Sequence, residues 1–287
     1  MKLIRYGDQG KEKPGIVLDG SIFDLSEFTE DFNEHFFESG GLERLCKFIS
    51  NAAKKLSKVN KAVRIGCPVA RPSKIVAVGL NYLEHIAATG LPVPKEPVIF
   101  LKATSAICGP YDTILLPPGS EETDWETELA VIIGKRASYI SQQDARGIIA
   151  GYSVMNDISE RSYQLERGGT VDKGKGCNTF CPIGPYLVTP DEIEDPNNLA
   201  IWLKLNGKMM QNSSTKDLYF KIPFLISYIS QFMTLLPGDI IATGTPSGTG
   251  HRQSPPVFLK SKDVLEYGID NLGIAKQTCR NTSLSTQ

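Results

Sequence analysis

The chain has 287 residues, 41% of them hydrophobic, which is enough for a sizeable core built as one large unit or as a small unit joined to a large one. Its 31 basic and 32 acidic residues leave a formal net charge of −1, so there is no electrostatic case for a nucleic acid or an anionic membrane surface as partner. No apolar run approaches the roughly 20 residues of a membrane span, and the start MKLIRYGDQG lacks the apolar core of a signal peptide; a soluble, cytoplasmic protein that works on a small molecule is expected.

The opening segments KLIRYG and PGIVLDGSIFDLS are short strands, with Asp19-Gly20 as the tight turn of a hairpin. In GGLERLCKFISNAAKKL, residues Leu42, Leu45, Phe48, Ile49 and Ala52 recur at helical spacing, which predicts a surface helix. The proline-bearing stretch RIGCPVARPSK places a boundary near residue 70, between a small N-terminal β/α domain (1–70) and a working domain (71–287). Strands dominate from there: KIVAVGL, PVIFLKA, DTILLPP, ELAVIIG, GIIAGYSVMND, AIWLKLNGKMMQ with Asn206-Gly207 as its turn, GDIIATG and PVFLKSKDVLEYGID. Helices are expected in YLEHIAATG, SQQDARGI and IPFLISYISQFM, and the polar tail RNTSLSTQ is expected to be disordered. The sum is a β-rich α+β fold with a mixed sheet or barrel. No Walker A motif, dinucleotide glycine fingerprint or internal repeat is present. The six cysteines (46, 67, 108, 177, 181 and 279) form no Cys-x-x-Cys pair, and they read as reduced, mostly buried thiols.

The chemistry gathers around TDWETELAVIIG, where alternation would put Asp124, Glu126 and Glu128 on one face of a strand that then turns apolar. Carboxylates leaving water side by side need a cation or protons; the competing reading is an exposed edge strand with solvated acids. Asp157 ends another apolar run and precedes ISERSYQLERGG. With Glu126 and Glu128 it would make an all-oxygen site suited to Mg²⁺ or Mn²⁺ rather than Zn²⁺; its competing role is a helix N-cap. His85, just after an apolar strand, reads as a general base or as a packing histidine, while His35 and His251 read as surface or loop residues. The stretches KGKGCNTFCPIGP, with Lys173 and Lys175, and PGDIIATGTPSGTG, with Thr243 and Thr245, have the glycines and polar groups of ligand-binding loops, or of ordinary ones.

Together VGLNYLEH, PVPKEPVIFLKATSAICGP, DWETELAVIIGK, NDISERSYQLERGG, KGKGCNTFCPIGP, the LNG at Leu205–Gly207 and PGDIIATGTPSGTG resemble the fumarylacetoacetate hydrolase family over nearly the entire chain. MKLIRYG with KPGI, DKGKG and SPPVFLK look closest to its bacterial sugar-acid branch, which includes 2,4-diketo-3-deoxy-L-fuconate or rhamnonate hydrolases and proteins often labelled ureidoglycolate lyase. The resemblance implies a homodimer with a β-rich catalytic fold and Mg²⁺ or Mn²⁺ on Glu126, Glu128 and Asp157, with Asp124 outside the ligand set. It implies a keto-acid substrate held by Arg161, Gln164, Lys175 and Thr245, with His85 and Lys175 catalytic. The implied reaction is hydrolysis of the C3–C4 bond of a 2,4-diketo acid to pyruvate and a second acid.

One departure bears on that reaction. Family members commonly place a Glu three residues after the histidine, on the same helical face, to orient the imidazole; here the position is Ala88. Glu84 and Glu96 are the available substitutes. Oxaloacetate decarboxylation, which needs no attacking water, gains weight from the gap, and a ureidoglycolate lyase or a weakly catalytic metal- and dicarboxylate-binding protein are further readings.

Overall fold

The protein's structure, a computed structural model, describes residues 1–52, 55–90 and 92–283. Two sheets carry the fold. Among the described residues the larger has ten strands, nine of them running in the order Ser21–Asp24, Lys13–Leu18, Lys2–Tyr6, Leu187–Val188, Ile149–Asn156, Thr127–Ile133, Ile240–Ala242, Ile75–Gly79 and Val98–Lys102, while Ile65–Gly66 pairs separately with Lys2–Tyr6. The N-terminal strands therefore continue into the same sheet as the later ones, through Lys2 opposite Val188 and Leu3 opposite Leu187. The smaller sheet orders Lys208–Ser214, Ala200–Leu205, Val264–Ile269, Gly273–Asn281 and Ile114–Leu116.

At the centre, all seven residues of Thr127–Ile133 are buried. Its apolar run Leu129–Ile133 is uninterrupted because both faces are covered, which is what such a run requires. This strand is antiparallel to Ile149–Asn156 on one side and to Ile240–Ala242 on the other. Ile240–Ala242 is parallel to Ile75–Gly79, and Val98–Lys102 returns antiparallel beside it. The mixed, β-rich α+β arrangement is thus the expected one. Its register also matters for function: the start of Thr127–Ile133, the end of Ile149–Asn156, the ends of Ile240–Ala242 and Ile75–Gly79, and the start of Val98–Lys102 all meet at one end of the sheet.

Local expectations largely stand. Asn206-Gly207 has positive φ at both residues, 51° and 82°, as a two-residue hairpin turn demands. The helix Gly41–Ala52 buries Leu45 and packs Leu42, Phe48 and Ile49 against the core. Helices also form at Leu83–Thr89 and Ile222–Ile229. The stretch SQQDARGI yields only a 3-10 turn, Ala145–Ile148. The short helices Glu34–Glu38, Arg161–Leu165 and Asp172–Lys175 were not expected. The expectation of a disordered tail is corrected for its first residues: Arg280 and Asn281 belong to the strand Gly273–Asn281 and face Leu115 and Leu116, while residues 284–287 lie outside those described. All six cysteines are free thiols, and four are buried. Among the described residues no helix is long and apolar enough to cross a membrane.

Candidate active site

The converging strand ends carry the polar groups that the rest of the sheet excludes. Glu126, Glu128 and Asp157 are all buried, and each offers an oxygen within 4.8 Å of the other two. Glu126 sits just before the central strand, where its backbone N–H donates to Asn156 Oδ1 at 2.8 Å and its carbonyl accepts from Asp157 N–H at 2.8 Å. Asp124 does not share their cluster. It lies in a separate two-residue strand, Thr123–Asp124, paired with Ser159–Glu160, so the single alternating face expected for 124, 126 and 128 is broken at Trp125 and Glu126.

Three cations meet these acids. Lys175 Nζ bridges Glu126 Oε2 at 2.6 Å and Asp157 Oδ2 at 2.7 Å. Arg161 Nη2 reaches Glu126 Oε1 at 2.6 Å and Asp124 Oδ2 at 2.7 Å. Lys102 Nζ stands 2.6 Å from Asp157 Oδ1, but its hydrogen bonds go to the carbonyls of Lys175 and Ile158. Burial alone pushes the Glu126 carboxyl up, yet Lys175 and Arg161 outweigh it and hold the group well below the usual carboxylate range. Glu128 behaves oppositely. Burial, followed by the charges of Asp157 and Glu126, drives its carboxyl well above the ordinary value; among the described residues its hydrogen-bond donor is the backbone N–H of Gly244 at 2.8 Å.

This imbalance is the test of whether a metal fits. Four buried carboxyl groups face three cations, and among the described residues Glu128 has no cationic partner and Asp157 Oδ1 accepts no hydrogen bond. An all-oxygen donor set with uncompensated negative charge fits a hard divalent cation such as Mg²⁺ or Mn²⁺.

The cluster lines a cavity of about 310 Å³ together with His85, Arg161, Gln164, Lys175 and Thr245; the eight residues that the family resemblance implies for the site therefore share one cavity. Lys175 is buried in the short helix Asp172–Lys175. Arg161 spends four of its five N–H donors on Asp124, Glu126 and Gln164, leaving one for a ligand. Thr245 Oγ1 donates to Thr127 O and accepts from Gln211 Nε2. Thr243 and Lys173 are turned to other work: the first donates to Leu129 O, the second to Arg167 O. His85 is buried, and desolvation lowers its pKa against the pull of Glu126, so the neutral ring persists. Neither proposed substitute serves it. Glu84 is exposed, and Glu96 accepts a hydrogen bond from Tyr228 at 2.8 Å.

His251 lies in a loop turn, as expected, but it also lines this cavity, as does Arg252. Asn81, Lys102 and Gln211 were also missed. Asn81 Nδ2 donates to Thr243 O at 2.7 Å and fixes the loop that follows the strand Ile240–Ala242. In that loop Gly244 has φ +101°, and a Cβ there would stand 2.8 Å from Asn81 Cβ. Gly244→Ala is accordingly expected to lower stability by about 1–3 kcal/mol and to weaken divalent-metal binding, because it displaces the N–H that holds Glu128. Denaturant melts and metal titration by calorimetry check both; unchanged metal affinity would separate the loop from the site.

With that geometry in view, residues 74–280 match the fumarylacetoacetate (FAA) hydrolase C-terminal family. A Burkholderia ambifaria protein, whose description as a hydrolase is itself provisional, is 49% identical over 98% of this chain and 99% of its own length. The fumarylacetoacetate hydrolase of psychrophilic Exiguobacterium antarcticum is 31% identical, with a TM-score of 0.86 over 98% of this chain and 100% of its own. A maleylpyruvate hydrolase from Sphingobium sp. SYK-6, solved with manganese(II) and pyruvate, is 32% identical, with a TM-score of 0.82 over 99% and 100% of the two chains. The match spans the buried carboxylates, their cations and the strands that present them: this chain belongs to the fumarylacetoacetate hydrolase family.

Proposed function

We propose that the protein is a divalent-metal-dependent hydrolase that splits the C3–C4 bond of a 2,4-diketo acid into pyruvate and a second acid. The observation that carries this reading is the Glu126, Glu128 and Asp157 cluster set in one cavity with Arg161, Lys175 and Thr245. Among such substrates, a 2,4-diketo-3-deoxy sugar acid is the one the sequence motifs favour. The manganese and pyruvate bound by the Sphingobium relative support the metal and pyruvate as a fitting ligand of this site.

Glu126, Glu128 and Asp157 would hold Mg²⁺ or Mn²⁺. When bound, the ion supplies Lewis-acid polarisation of the 2-oxo end of the substrate. The remaining N–H of Arg161, with Gln164 and Thr245, would orient the keto-acid end. Lys175, fixed beside Glu126 and Asp157, supplies positive charge where the acyl carbonyl becomes an oxyanion. His85, buried, lines the cavity beside these groups. Val98, Ile99 and Phe100 give the cavity an apolar wall.

A homodimer belongs to the same proposal. Val98 and Leu101 are 48% and 45% exposed on the edge strand Val98–Lys102, an unpaired apolar edge of the kind proteins cover. Light scattering checks it, and a monomeric mass sinks it.

The test is pyruvate release, with and without Mg²⁺ or Mn²⁺, from a 2,4-diketo-3-deoxy sugar acid, acetylpyruvate and oxaloacetate. Metal-dependent pyruvate plus a second carboxylic acid from a diketo substrate is expected. One observation favours a second reading: among the described residues His85 Nδ1 has no hydrogen-bond partner, and decarboxylation of oxaloacetate needs no activated water. Carbon dioxide from oxaloacetate, with no diketo cleavage, would replace the first reading with the second.

A further inference from the structure

Two histidines line the cavity, and they are held differently. His85 is 7% exposed and its Nδ1 is unpartnered. His251 keeps 17% of its side chain accessible, and its Nδ1 lies 2.8 Å from Asp124 Oδ2. Asp124 is fully buried. It receives Arg161 Nε at 2.9 Å and Nη2 at 2.7 Å, and the backbone N–H groups of Trp125 at 2.8 Å, Gly250 at 2.5 Å and His251 at 3.1 Å. With these five N–H donors directed at its two oxygens, two of them from a guanidinium, Asp124 meets His251 as an acceptor. An ionised carboxylate only accepts. Nδ1 of His251 therefore donates to Asp124, and Nε2 lies on the ring edge that Asp124 does not occupy, the acceptor nitrogen of the neutral ring. A buried carboxylate that fixes an imidazole in one tautomer and one orientation is how a histidine is prepared for proton transfer.

The turn that carries the ring is built to hold it. Gly250–Arg252 is a 3-10 turn, and Gly250 O accepts from the N–H groups of both Gln253 and Val257. Gly250 is packed so closely that a Cβ would stand 2.0 Å from Val257 O and 2.7 Å from Asp124 Oδ1. Asp124 thus ties this turn to Arg161, and through Arg161 to Glu126.

We infer that His251, oriented by Asp124, is the general base of this site. The inference rests on the hydrolase reading. Nε2 takes one proton from water as the water oxygen bonds to the acyl carbonyl carbon, whose C=O pair moves onto oxygen. When the C=O reforms, the C3–C4 bond breaks and its electron pair goes to C3. The proton on Nε2 then passes to C3, which completes pyruvate and returns His251 to its neutral form. Asp124 is a positioning residue that acts through His251. The charged groups around the ring are Asp124 on its Nδ1 side, with Arg161 and Arg252 as the neighbouring cations.

The test uses the full chain with Mg²⁺ and acetylpyruvate, comparing wild type with His251→Asn, His251→Gly and His85→Asn. His251→Asn is expected to lower kcat by about 10²–10⁴-fold with KM within about threefold, and to lose the acid limb of the pH–rate profile. Added imidazole is expected to restore part of the rate to His251→Gly, which an indirect folding effect would not allow. In ¹⁵N-imidazole NMR of the metal-free protein, an Nδ1–H tautomer is expected that disappears in His251→Asn and changes in Asp124→Asn. A His251→Asn enzyme within about threefold of wild type, or an Nε2–H tautomer for His251, overturns the inference while leaving the hydrolase intact. Wild type that releases no pyruvate from any diketo acid overturns the hydrolase reading instead, and the base with it.

Discussion

Glu128→Gln is expected to lose about 10²–10³-fold of metal-dependent turnover, the several kcal/mol that a Lewis acid supplies, while the metal-free protein melts at the same temperature as wild type or higher. The two halves share one cause. Glu128 is 2% exposed, has no cationic partner among the described residues, and feels Asp157 and Glu126 as like charges. Without metal its charged form is a liability; with metal it would be the third oxygen donor. The pH dependence follows with a definite sign. A carboxyl whose folded pKa lies above its unfolded value, about 4.3, contributes stability that is complete below the unfolded pKa and lost as pH rises through the folded one. Metal-free wild type should therefore weaken as pH climbs above the ordinary carboxylate range, and Glu128→Gln should lack that part of the slope. Saturating Mn²⁺ should raise the melting temperature of wild type by mass action and leave the variant unmoved. Equal metal-induced shifts in both proteins would remove Glu128 from the site.

How much of this was legible in the sequence depended on whether the signal was local. The strand Thr127–Ile133 announces itself as an acidic start followed by an unbroken apolar run, and Asn206-Gly207 needs only its own two residues to specify a turn. The carboxyl cluster of Glu126, Glu128 and Asp157 was legible because each acid ends or begins such a run. The strand Gly273–Asn281 was not, although its inward positions alternate as a strand's should. One of those positions is Gln277, which is 1% exposed and bonds Tyr267 Oη and the carbonyl of Asp112; a polar residue satisfied inside the core breaks the hydrophobic pattern that marks a strand. Lys102 was missed for a related reason. A lysine reads as surface by type, and only the carboxylates brought near it by the fold make its burial tolerable. His251 is the extreme case, since its role depends on an aspartate 127 positions away, and GTGHRQS by itself reads as an ordinary loop. The helices Arg161–Leu165 and Asp172–Lys175 are too short for any periodicity to develop.

The same electrostatics make Lys175→Met the substitution with the largest expected cost to the metal-free fold. Lys175 is 2% exposed, and its Nζ is shared between Glu126 and Asp157. Methionine keeps most of the packing volume but withdraws the charge, leaving three carboxylates within 4.8 Å to Arg161 and Lys102 alone. Removing one partner of a buried ion pair typically costs about 3–5 kcal/mol, because the remaining charge stays buried. The metal-free variant is expected to lose stability of that order in urea or guanidinium melts. A divalent cation bound to the same carboxylates restores the missing positive charge, so saturating Mg²⁺ or Mn²⁺ should close much of the gap to wild type. Activity should not follow: with the lysine gone the developing oxyanion loses a preorganised cation, worth about 10²–10³-fold in kcat. A metal-loaded variant that is stable but slow separates the two jobs of Lys175, neutralising the carboxylates at rest and stabilising charge during reaction. Full activity in the metal-loaded variant would confine Lys175 to the first, and a metal-free variant as stable as wild type would mean that the carboxylates share their charge with protons instead.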